Sequence, residues 1–237
     1  VLRALLLLCA HLTPHVVKAT NNNSTEGRLY QHLLSDYEKE VRPGEPSSLL
    51  VTQYQLNMFH LVDVNEKQGT WELIVWVRVK WIEDRMKWKP SEWEGIKQMQ
   101  IDASKLWTPS FLFYQQVSQD VIINTAGYIG YDGSVFWSTP TRLLLNCVFS
   151  LESFPNDEQH CPVFIEGWNY HGLLQDLRFM QDSFGRESGV DLSQFSATGG
   201  DTEWVVSEVE MRRVVRFYPC CEEPWPSLQW NVTLSRS

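Results

Sequence analysis

Cys220 and Cys221 are adjacent, and Tyr218 and Trp225 flank them within Arg216-Phe217-Tyr218-Pro219-Cys220-Cys221-Glu222-Glu223-Pro224-Trp225-Pro226. The stretch reads as the tip of a β-hairpin. Neighbouring Cα atoms lie about 3.8 Å apart, short of the ~4.4 Å where ordinary disulfides begin. A bridge within the pair therefore needs local strain, and the alternatives are two free thiols or two bridges to other cysteines. Further aromatics fall on separate loops and strands: Trp76, Tyr114, Trp168 and Tyr170. Rings that converge from separate elements form a cage for a cation. A quaternary or protonated amine over such faces gains about 2 kcal/mol where water is excluded.

Other chemistry finds little support. The chain has no Gly-rich phosphate loop, no His-Glu-x-x-His, no Gly-x-Ser-x-Gly and no Cys-x-x-Cys. His60, His160 and His171 lack metal-ligand spacing, and Asp157-Glu158 and Glu222-Glu223 read as solvated loop acids. No cofactor, metal or enzymatic activity is expected. The net charge of −9 argues against nucleic acid, whose phosphates need Lys and Arg clusters, and is compatible with a cationic ligand. Eleven Trp, eleven Phe and eight Tyr exceed what a core of this size needs and suit a binding surface.

Residues 1–20 read as a secretory signal: Arg3 is the positive start, Ala4 to Ala10 the apolar stretch, and Lys18-Ala19-Thr20 lies near the cleavage point. The alternative is a buried hydrophobic helix. Sequons at Asn22, Asn23 and Asn231 point to the same secreted, glycosylated context. With Cys9 in the signal, Cys147, Cys161, Cys220 and Cys221 remain, and four cysteines allow three connectivities. Pairing Cys147 with Cys161 closes a modest loop and leaves the adjacent pair for each other. The crossed pairings would tie both partners to one hairpin tip. No later stretch reaches the ~18 apolar residues needed to span a bilayer.

The elements that would carry these residues are mostly strands. Glu26 to about Val41 is read as the one helix, with Leu29, Leu33, Leu34 and Tyr37 on its apolar face. Apolar residues then recur every second position. Leu50, Tyr54, Leu56 and Met58 face one side of the first strand. From Trp71 to Ile82 every odd residue is apolar, which leaves Trp76 on the wet face. Trp107 is read as a core anchor. Val121 to Trp137 is a hairpin about the Asp132-Gly133 turn, Leu143 to Phe149 is a buried strand, and Gln181 to Gly200 is irregular. In the last hairpin Val205, Val209, Met211, Val215 and Phe217 face inward, as do Leu228, Trp230, Val232 and Leu234, which puts Tyr218 and Trp225 off the core. About ten short strands after one helix predict an all-β, immunoglobulin-like sandwich forming a single domain over 21–237.

Cys147 and Cys161, with thirteen residues between them that include Phe154-Pro155-Asn156-Asp157, resemble the signature loop of the Cys-loop pentameric receptors. The resemblance runs from about Arg28 to Leu234. It includes Trp107-Thr108-Pro109, Gly167-Trp168-Asn169-Tyr170 and the whole hairpin tip. The adjacent cysteines narrow it to the nicotinic branch, and the absence of membrane segments makes the chain similar to the secreted acetylcholine-binding proteins. The resemblance implies a homopentamer that binds acetylcholine or nicotine-like amines between subunits. The principal side would supply Tyr114, Trp168, Tyr170, Tyr218, a Cys220–Cys221 disulfide and Trp225. The complementary side would supply Trp76, Tyr128, Phe136 and Ser138. The hairpin tip would act as a flap. Trp225 stands where the family usually has Tyr, and the Phe154-Pro155 loop has the form typical of channel subunits. The other readings are the extracellular domain of a nicotinic-type channel and, more remotely, a carbohydrate-binding sandwich whose Trp residues stack on sugars.

Overall fold

The computed structural model describes residues 24–236 apart from 122, 124, 194 and 196–202. The expected signal and the sequons at Asn22 and Asn23 lie outside the described residues. Helix α1 spans Thr25–Leu34. The strands are β1 (Leu50–Asn65), β2 (Thr70–Ile82), β3 (Gln98–Asp102), β4 (Phe111–Phe113), β5 (Gln116–Val121), β6 (Ala126–Gly130), β7 (Ser134–Asn146), β8 (Glu158–Gly167), β9 (Gln175–Phe179), β10 (Val190–Asp191), β11 (Trp204–Tyr218) and β12 (Cys221–Arg236).

The strands form two sheets. One runs β10-β1-β2-β7-β6-β3, with β9 also on the edge of β1 and β5 also on the edge of β7. The other runs β11-β12-β8-β4. Between them lies the core that the period-two pattern predicts. Trp71, Leu73, Val75, Val77, Val79 and Trp81 are all buried on β2, and Leu228, Trp230, Val232 and Leu234 on β12. Each such side chain, moved out of water, stabilises the fold by roughly 1.5–3 kcal/mol. Edge-to-face rings fill the larger gaps, with Phe179 against Trp230 and Trp81 against Trp107. Trp107 is the core anchor expected of it.

Cys147, just past the end of β7, bonds Cys161 on β8. The bridge therefore staples one sheet to the other. The loop between them is exposed and apolar at Val148, Leu151 and Phe154.

Three expectations are corrected. The helix ends at Leu34 rather than near Val41. The Ser35 hydroxyl donates back to the His32 carbonyl, and Tyr37 is drawn away to donate to the buried Glu83 at 2.8 Å and to accept from the Trp107 N–H at 2.8 Å. Residues 134–146 form one strand, not a hairpin arm and a separate strand. Pro140 is tolerated inside it because β7 pairs with β6 only at 135–137 and with β5 from Thr141, so Pro140 falls in the gap between the two partners. Val215 and Phe217, expected inward, are exposed. A register shift between Arg216 and Tyr218 marks the end of the regular ladder there.

Candidate functional site

The outer face of the smaller sheet gathers one group of the predicted residues. Cys161, Val163 and Ile165 of β8 point into the core, so Phe164 and Glu166 point out. Register places Ser227 of β12 opposite Glu166, and Tyr114 donates its N–H to the Phe164 carbonyl at 3.0 Å. Tyr218 reaches across the same face. Its hydroxyl donates to Glu166 Oε1 at 2.8 Å and lies 3.4 Å from the Tyr114 hydroxyl. Burial pushes the Glu166 carboxyl up, against the opposing pull of Tyr218 and Arg216. Burial also pushes up the Tyr218 phenol, with the bonds to Tyr114 and Glu166 acting in the same direction.

Trp168 follows β8 on a loop and is 62% exposed, so its ring is available to a ligand. The Trp168 N–H donates to the Ser110 carbonyl, and Gly172 donates to the Pro224 carbonyl at 2.6 Å. A Cβ on Gly172 would stand 2.7 Å from Pro226 Cδ and 2.8 Å from the Pro224 oxygen. Only glycine permits that approach, which ties the Trp168 loop to the hairpin on either side of Trp225. Trp225 is half-buried, and its Nε1 has no hydrogen-bond partner among the described residues.

Two expected members depart from this group. Tyr170 turns toward the core, with the Arg42 guanidinium over its ring at 5.9 Å, and lines a separate cavity with Trp107 and Ser110. The chain bends over residues 168–170, and Trp168 and Tyr170 part in direction. Cys220 and Cys221 are two thiols rather than the expected bridge. Cys221 pairs with Tyr218 as the first residue of β12, just past the register shift between Arg216 and Tyr218. Cys220 beside it raises the Cys221 thiol above its usual range. Asn231, the third sequon, is half-buried in mid-β12 between Glu210 and Pro162.

The second predicted group lies on the outer face of the larger sheet. Trp76 is the exposed residue between the inward Val75 and Val77. Register sets Trp76 opposite Pro140, Arg78 opposite Ser138, and Phe136 between Lys80 and Tyr128. Trp76, Tyr128, Phe136 and Ser138 thus line one groove of about 760 Å³. Gln98 and Gln100 of β3 and Thr125 add hydrogen-bonding groups to its walls. Thr125 is fixed by donating to the Ser138 carbonyl at 2.7 Å and accepting from Trp137 Nε1 at 3.0 Å.

Arg78 also lines the groove. Its guanidinium carbon is 5.9 Å from the Trp76 ring centroid, and its Nη1 donates to Gln55 at 2.8 Å and to Asp191 at 3.0 Å. Hydrogen bonds from Ser193, with Arg78 alongside, hold the Asp191 carboxyl below its usual range. The sequence pattern singled out neither Arg78 nor Glu166. Both have a signal in strand parity: each shares a face with a predicted aromatic, Arg78 with Trp76 and Glu166 with Tyr218. The core lies between the two groups, so a single copy of the chain presents them on opposite outer faces.

The family model of the neurotransmitter-gated ion-channel ligand binding domain matches residues 26–237. The chain is 33% identical over 220 residues to an acetylcholine receptor subunit alpha-like protein of Manduca sexta, covering 90% of this chain and 42% of that protein. It is 31% identical over 219 residues to the acetylcholine receptor subunit alpha-type acr-7 of Caenorhabditis elegans, covering 89% and 40%. It is 28% identical over 235 residues to the neuronal acetylcholine receptor subunit alpha-4 of Gallus gallus, covering 98% and 36%. The chain spans less than half the length of these curated relatives.

Proposed function

The chain belongs to the neurotransmitter-gated ion-channel ligand binding domain family, in its nicotinic type, and on that footing we propose that it binds a small acetylcholine-like cation in an aromatic cage between neighbouring copies of itself. Tyr114, Trp168, Tyr218 and Trp225 are the principal half of the cage, and Trp76, Tyr128, Phe136 and Ser138 the complementary half. The assembly is an extracellular homopentamer. One observation carries the reading: the two aromatic groups lie on the outer faces of opposite sheets. A cage built from both needs a second copy, and the ammonium is then enclosed on several sides, where cation–π attraction is strongest.

The test is calorimetry with acetylcholine and tetramethylammonium. Trp168→Ala and Trp76→Ala should each weaken binding by about thirtyfold, the equivalent of ~2 kcal/mol. Unchanged affinity in both variants would remove the cage. Light scattering that gives a monomer with full affinity would remove the inter-copy site.

A secreted binding protein and the ligand-binding portion of a channel subunit are both served by this site. The exposed apolar tip at Val148, Leu151 and Phe154 favours the channel subunit, because clustered exposed apolar residues mark a surface that another domain covers. The transcript downstream of Ser237 separates the two. Four hydrophobic segments mean a channel subunit, and an immediate stop codon means a secreted protein.

A further inference from the structure

We propose that Arg216 is a resident cation of the principal half-site, seated on the ring face that the ligand ammonium takes, and that Glu166 is the counter-charge passed from Arg216 to the ligand. The inference rests on the cation-cage reading above and adds the residues that set its affinity.

The Arg216 guanidinium carbon lies 5.8 Å from the Tyr114 ring centroid and 5.5 Å from that of Phe164. Both distances fall within the ~6 Å range of cation–π attraction. Tyr114 is exposed and belongs to the aromatic group proposed above as the principal half of the cage. A protein cation already stands there.

Arg216 also lies beside the Tyr218 hydroxyl, but its contact with Glu166 is loose. Its Nη1 is 3.8 Å from Glu166 Oε2, a charge contact too long for a hydrogen bond. Glu166 Oε2 is buried and makes no hydrogen bond among the described residues, although Oε1 is bonded to Tyr218. The Glu166 side chain is 3% exposed and that of Arg216 30%. The carboxylate is therefore fixed under the site, with one oxygen unsatisfied, while the guanidinium is positioned to swing toward solvent. An incoming ammonium that displaces it gains the Tyr114 face and the charge of Glu166. An ammonium that does not displace it meets a like charge across the same ring. Ligand affinity is thus a difference between two cations competing for one seat.

The test compares choline with its neutral isostere 3,3-dimethyl-1-butanol on the assembled protein. Arg216→Met keeps the aliphatic stem and removes the charge. It should tighten choline by about tenfold, the order expected for one like charge removed from ~6 Å at an effective dielectric of ~40, between the protein and bulk-water values. It should leave the neutral isostere within about twofold. Arg216→Lys should keep choline near its original affinity. Glu166→Gln should weaken choline about tenfold and spare the isostere. A choline-to-isostere ratio that is unmoved in both Arg216→Met and Glu166→Gln, or a loss of choline affinity in Arg216→Met, overturns the proposal. If choline binds and Trp168→Ala abolishes it while Arg216→Met changes nothing, the cage stands and the resident cation falls. If choline binds neither the unaltered protein nor Arg216→Met, both fall together.

Discussion

Gly172 is the position at which to test whether the Trp168 loop and the hairpin act as one unit. Its backbone is not in the left-handed region, so Gly172→Ala introduces only bulk. The new Cβ would sit 2.7 Å from Pro226 Cδ and 2.8 Å from the Pro224 oxygen. Neither neighbour is a flexible side-chain end. Ordinary contact begins at 3.4 Å, so the hairpin base must retreat by about 0.7 Å, the difference between 3.4 and 2.7. Overpacking of this kind costs roughly 1–3 kcal/mol, and stretching the Gly172–Pro224 hydrogen bond adds about 1 kcal/mol. For a domain of this size that sum lowers Tm by about 5–10 °C. Trp225 lies between the two prolines, so its ring moves with them relative to Trp168. Losing part of one cation–π contact, worth up to ~2 kcal/mol, should weaken tetramethylammonium between about three- and thirtyfold. Thermal melts and calorimetry on the same sample read both numbers. A lower Tm with unaltered affinity would refute the coupling and leave the glycine a matter of packing alone.

Cys147→Ser removes the staple between the sheets. With the bonded positions 14 apart in sequence, its loss should cost about 3 kcal/mol, read as a shift in the urea midpoint against the unaltered chain under non-reducing conditions. Asp157 is paired with Arg236 at 2.8 Å, and the guanidinium holds its carboxyl down at about 2. A carboxyl lowered from 3.8 in the unfolded chain stabilises the fold above that value, and the contribution is lost as pH falls from 3.8 toward 2. Asp157→Asn should therefore be less stable at pH 7, with the gap closing below pH ~3 in parallel denaturation curves. A gap that does not change with pH would mean that the hydrogen bonds matter and the charge does not.

The period of two made the sandwich readable, and it worked best where one face is buried along a whole strand. Trp71 to Trp81 alternate without a break, so the exposure of Trp76 followed directly. The same rule is silent where both faces are wet. β5 is exposed over almost its whole length, so no alternation marked it. β10 has two residues and is set by pairing with Leu56 and Asn57 of β1 rather than by its own sequence. The rule also misled at the hairpin tip, where Val215 and Phe217 keep the apolar pattern and are exposed. For the candidate site, the grouping of Trp76, Phe136, Ser138 and Tyr128 on one face was legible, because three strands in register carry them. On the other sheet the pairing of Tyr218 with Tyr114 had a signal in the rings, the turn of Tyr170 toward the core had none, and the charges were not singled out. Arg216 reads as an ordinary wet residue, and only the packing of β8 beneath it makes its neighbour Glu166 a buried carboxylate.

Opposite placement of the two groups has a genetic consequence. In the proposed assembly each contact between copies uses one chain's Trp168 face and the next chain's Trp76 face, a head-to-tail arrangement in which the two partners contribute different surfaces. A chain lacking Trp76 and a chain lacking Trp168 are then complementary rather than equally dead. Mixed in equal amounts, they rebuild a fully aromatic boundary at about one contact in four, since the order along the ring decides which intact faces meet.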